Sequence, residues 1–153
     1  MASLQAGDVN DRDIKAMVRL DIKGVARPGK FLFGGKTMDK AAEESREQQV
    51  TLLRNVPIQG IHIDDIDLGI EIYTIYEESS GFEVAYAPVV LQLTADSLED
   101  LIRFTMREDF RKIEISSPAS LSLHRYDLER LIFAIAEEAK DYRLHFEHTH
   151  NLR

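Results

Sequence analysis

From residue 14 to residue 26 apolar and polar side chains alternate, and no other stretch constrains the fold as firmly. Ala16, Val18, Leu20 and Ile22 fall on one face, while Lys15, Arg19, Asp21 and Lys23 fall mostly on the other. A period of two belongs to a strand with one buried and one wet face. Such a strand needs neighbours beside it and a layer over its apolar side. Arg27-Pro28-Gly29 then breaks it.

The remaining segments supply both. Residues 37–54 hold good helix formers with a thin stripe of Met38, Ala41, Ala42, Ser45, Gln49, Leu52 and Leu53, although Val50 to Val56 also fits a strand, and Pro57 and Gly60 end the element. Leu68 to Glu77 and Phe82 to Leu93 are rich in Ile, Val and Tyr and read as strands. Glu78-Ser79-Ser80-Gly81 joins them as an antiparallel hairpin. Pro88 cannot donate to a ladder, so that strand bulges there or lies at an edge.

Asp96-Ser97-Leu98-Glu99 is a capping box ahead of Leu98, Leu101, Ile102 and Thr105. Phe110 to Ile115 reads as a short strand. A second helix carries Leu128, Leu131, Ile132, Ile135 and Ala139, and alternation over Tyr142 to Glu147 predicts a closing strand. The two helical units resemble each other in Leu98-Glu99-Asp100-Leu101-Ile102 and Leu128-Glu129-Arg130-Leu131-Ile132. Strand–helix–strand crossovers favour parallel neighbours.

The expected fold is therefore α+β, one domain over 13–147. It has a mixed β-sheet of about five strands, an antiparallel hairpin, a C-terminal βαβαβ unit and two to three helices. Residues 1–12 form an arm and 148–153 a tail. Both C-terminal helices should pack on the sheet, so Leu131→Asp should unfold the chain or leave it insoluble.

The chain has 153 residues, enough for one core. Its 27 acidic and 19 basic residues give a net charge of −8 and no basic run. That composition disfavours nucleic acid and anionic membrane surfaces. No apolar run is long enough to span a bilayer. The start of the chain lacks a secretory leader pattern. With no cysteine, disulfides, thiolate catalysis and Cys-based metal sites are impossible, and the cytoplasm is the simplest compartment.

Chemistry-bearing patterns are few. Gly29 to Thr37 approaches a phosphate loop, but counting back from Gly35-Lys36-Thr37 puts Lys30 where the first glycine belongs. No Gly-x-Ser-x-Gly elbow is present. The adjacent carboxylates Glu137 and Glu138 read as wet surface. Tyr73, Tyr76 and Tyr86 could cluster on the hairpin and face a protein partner.

Two sets of candidate site residues follow. His62, Asp64 and Asp67 of an acidic loop, with His145, Glu147, His148 and His150 near the C-terminus, are the donors a divalent metal would use. Such a metal would serve a hydrolase or a sensor. Thr94, Ser97, Ser116, Ser117, Ser120, His124 and Arg125 lie where strands feed helices, a place that suits a small anion. Ordinary capping and turn chemistry uses the same residue types. No cofactor is firmly implied. The leading expectation is a non-catalytic cytoplasmic binding or assembly module that pairs with itself or with another protein.

Overall fold

The computed structural model describes residues 13–24, 35–79 and 81–151, with side chains from 38 and up to 147 in the second and third stretches. The arm 1–12 and most of the Gly29–Thr37 segment lie outside the described residues. In chain order the elements are β1 (Ile14–Lys23), α1 (Gly35–Asn55), β2 (Ile61–Asp67), β3 (Tyr73–Glu77), β4 (Phe82–Ala95), α2 (Leu98–Thr105), β5 (Phe110–Ser117) and α3 (Arg125–Asn151). This is an α+β fold whose strands form one sheet, with β3 and β4 as the expected hairpin.

The sheet runs β2-β4-β1-β5 and is antiparallel at every pairing, not mixed. The expected crossover is present in a split form. β4 and β5 run in the same direction, but β1 lies between them and pairs antiparallel with each. Their parallel sense therefore never becomes a parallel ladder.

β4 is long enough to carry two partners on its other edge. β3 takes Phe82 to Tyr86, and β2 takes Val90 to Ala95. Pro88 falls in the gap between them. Asp21, its partner across the ladder, sends its N–H the other way, to the Asp109 carbonyl at 2.8 Å. The nitrogen of Pro88 thus faces the gap, where no ladder bond is lost.

The even residues of β1 face the core, as the alternation predicts. Ile14, Ala16, Val18, Leu20 and Ile22 are all buried, packed with Val89, Leu91, Leu93 and Ala95 of β4. Val50 and Leu53 of α1 and Leu101 and Phe104 of α2 cover this face. Where α1 crosses the sheet end, small residues let it approach closely. Ala42 lies against Ala85 and Ala87, and a Cβ on Gly24 would stand 2.8 Å from the Ala42 nitrogen.

Four further expectations change. Residues 61–67 are a strand, not a loop. A register shift between Ile63 and Asp65 lets Ile61, Ile63 and Ile66 share the core side despite their uneven spacing. Asp21 is buried and not on a wet face. Tyr142 to Glu147 is helical, so the C-terminal unit lacks its last strand. No glycine or proline interrupts residues 125–151, and α3 passes residue 147 without a break. That helix packs chiefly on α2 and not on the sheet. Among the described residues no helix is long and apolar enough to cross a membrane.

Candidate functional site

Asp21 is the buried charged side chain of the described residues, at 3% exposure. β5 bulges opposite Arg19 and Leu20, which takes Arg111 out of the ladder and toward this carboxylate. Arg19 donates to both carboxylate oxygens, at 2.8 and 3.3 Å, and Arg111 stands 3.6 Å away. The Tyr73 hydroxyl donates as well. Tyr73 stacks on Tyr86 at 5.5 Å, and Arg111 lies over the Tyr86 ring at 5.3 Å. Burial first, then the bond to Asp21, pushes the Tyr73 phenol above its usual pKa. The hydrogen bond to Asp21 likewise raises the Arg19 guanidinium.

A cleft of about 1160 Å³ runs from this cluster to α2. Every cation that lines it is already held. Lys23 pairs with Glu77, Arg107 with Asp109 and Gln49, and Arg111 with Asp21. Arg103 is held by Glu99, Glu137 and Glu138. No buried side-chain nitrogen or oxygen among the described residues lacks a partner. An anion entering here would have to break an ion pair, so the cleft reads as a structural seam. The pair Glu137 and Glu138, expected as plain wet surface, ties α3 to α2 through Arg103.

The residues considered for a small anion are partly drawn together. Thr94 and Ser117 sit on either side of Lys15, and His62 stands beyond Thr94, so the four form one row across the sheet. Their polar groups are used locally. Thr94 donates to Asp64 at 2.7 Å, and His62 Nε2 lies 3.0 Å from Asp96. Ser116 donates to the Lys15 carbonyl at 3.1 Å. Ser97 caps α2, accepting the Asp100 N–H at 3.1 Å. The His124 N–H donates to Asp127 at 3.0 Å, and Arg125 lies over its neighbour Tyr126 at 5.0 Å. Ser120 is exposed in the loop between β5 and α3.

The residues considered for a metal lie on β2 (His62, Asp64, Asp67) and on α3 (His145, Glu147, His148, His150). On a helix, positions 145 and 147 point roughly 200° apart, so they do not share the face a strand would have given them. Among the described residues no three His, Asp or Glu side chains gather as metal ligands. Tyr73 and Tyr86 meet as the hairpin suggested, while Tyr76 is 64% exposed.

The least explained surface is α3. Leu131 and Ala134 are buried on the α2 side, and Arg103 clamps Glu137 and Glu138 just beyond them. The next face around the helix carries Leu128, Ile132, Ile135, Ala139, Tyr142 and Phe146. Their spacing of four, three, four, three and four is that of a coiled-coil seam. At about 100° per residue the six lie within an arc of roughly 80°. Leu128 is 47% exposed, Ile132 67%, Ile135 44%, Tyr142 60% and Phe146 51%. Contiguous exposed apolar stripes are uncommon on monomeric soluble proteins. The sequence shows the whole spacing, but reading 142–147 as a strand cut the stripe off at Ala139 and hid its length.

No protein-family model, no curated protein and no solved structure matches this chain.

Proposed function

We propose that this chain is a non-catalytic assembly module that associates with copies of itself through α3. One observation carries the reading: among the described residues, the 27-residue helix α3 buries Leu131 and Ala134 along one side and exposes an apolar stripe next to that side. Burying an exposed isoleucine or leucine yields roughly 1.5–3 kcal/mol. Leu128, Ile132 and Ile135, each 44% to 67% exposed, supply a share of that gain, and Tyr142 and Phe146 add to it. The paired cations of the cleft and the local bonding of the serine loops support a binding role for α3 over catalysis elsewhere. The cysteine-free composition supports a cytoplasmic setting. Native mass spectrometry tests the proposal: even multiples of 17.5 kDa support it, and a 17.5 kDa species at every concentration refutes it.

A further inference from the structure

We infer that two copies pair through antiparallel α3 helices centred near residue 137, which rests on the self-association proposed above. In this register Leu128 meets Phe146 of the second copy, Ile132 meets Tyr142, and Ile135 meets Ala139. The small Ala139 then faces Ile135, so no layer of the seam holds two alanines. A parallel pair would set Ala139 on Ala139 and leave a thin layer between bulky ones.

Charge points the same way. α2 occupies one flank of the seam, where Leu131 and Ala134 are buried. The open flank carries Glu129, Ala136 and Arg143, spaced by seven. Antiparallel pairing brings these flanks together. Glu129 then faces Arg143 of the second copy, Ala136 faces Ala136, and Arg143 faces Glu129. The two-fold axis repeats the ion pair. On the other flank Glu138 approaches its own copy, but Arg103 already holds that carboxylate at 3.2 Å. A parallel pair would instead set Arg143 against Glu138, whose charge is spent on Arg103. Arg143 is 80% exposed, with Glu147 at 3.1 Å as its neighbour along the helix.

Antiparallel pairing also places the far half of α3 well. Beyond Glu138 every side chain described, from Ala139 to Glu147, is exposed. In the antiparallel pair this half lies on the supported half of the second copy, with α2 of that copy close by.

The chain has no cysteine, so an introduced thiol stands alone. Chains carrying Ile135→Cys and chains carrying Ala139→Cys are oxidised separately and as an equilibrated mixture. Both positions are exposed in the single chain, so both variants should fold. Only cysteines in one layer come within disulfide reach. The antiparallel pair predicts a linked species of twice 17.5 kDa in the mixture alone. Linkage within each variant by itself would show parallel helices and overturn this inference, leaving self-association intact. A dimer in sedimentation with no linkage in any sample would show pairing elsewhere and also overturn it. A 17.5 kDa species throughout would overturn the parent proposal. As a second reading, Glu129→Arg should raise the dimer Kd roughly three- to tenfold, and adding Arg143→Glu should reverse most of that rise. Failure of the second change to reverse the first contradicts the antiparallel flank.

Discussion

The Tyr73 hydroxyl donates a hydrogen bond to Asp21, 52 residues away in sequence, and so joins β3 to β1 across β4. This donor and the two guanidinium groups around it offset the cost of burying Asp21 at 3% exposure. Tyr73→Phe removes one donor and leaves Arg19 and Arg111. Urea denaturation should show a loss of about 1–3 kcal/mol with an unchanged slope. A variant as stable as the parent would show that the arginines alone satisfy the carboxylate.

The same bond sets a pH dependence. The fold holds the Tyr73 phenol above its usual value of 10.0, first by burial and then through Asp21. The unfolded chain therefore releases this proton before the folded one does. The Tyr73 contribution is full below about pH 10 and is lost as pH rises through the folded value. The stability gap between the parent and Tyr73→Phe should stay constant at neutral pH and shrink above about pH 10. A gap that widens in alkali would contradict the arrangement.

Gly60 and Gly81 share a left-handed backbone, with φ of 71° and 74°, but differ in surroundings. A Cβ at Gly60 would fall 2.1 Å from Asp100 Oδ2, whereas one at Gly81 meets nothing within 4 Å. Gly81→Ala should cost about 1–2 kcal/mol for conformation alone. Gly60→Ala should cost more, because Asp100 must leave its hydrogen bond with the Ser97 hydroxyl at 2.9 Å. Thermal unfolding of both variants tests the order. Equal shifts would mean that Asp100 moves away freely.

Leu131→Asp separates two accounts of α3. A helix packed on the sheet would carry the whole fold down with it. Leu131 is instead buried on the α2 side, and α3 rests chiefly on α2. Hydrogen exchange should quicken along residues 125–138 while β1 and β4 amides stay protected. Loss of protection throughout the sheet would restore the expectation drawn from the sequence.

Much of this fold is legible in the sequence where periodicity is clean. β1, the hairpin of β3 and β4, and the capped helix α2 follow from alternation, turn residues and a capping box. β2 escaped because its bulge spaces Ile61, Ile63 and Ile66 unevenly. The antiparallel sheet escaped because β1, from the far end of the chain, inserts between β4 and β5. Tyr142 and Phe146 misled in a different way. Four residues apart, they satisfy a strand face and a helix face alike, and only the unbroken run from Arg125 decides for the helix. The Asp21 cluster depends on contacts between four separate stretches, which no local pattern reports.

The most direct test of the account is sedimentation equilibrium on the parent chain and on Ile132→Glu/Ile135→Glu. Both isoleucines are exposed in the single chain, at 67% and 44%, so their replacement should leave its fold and helicity intact. The parent should approach twice 17.5 kDa with rising concentration, and the double variant should remain at 17.5 kDa. A parent that stays at 17.5 kDa, or a double variant that associates as strongly as the parent, would contradict assembly through α3.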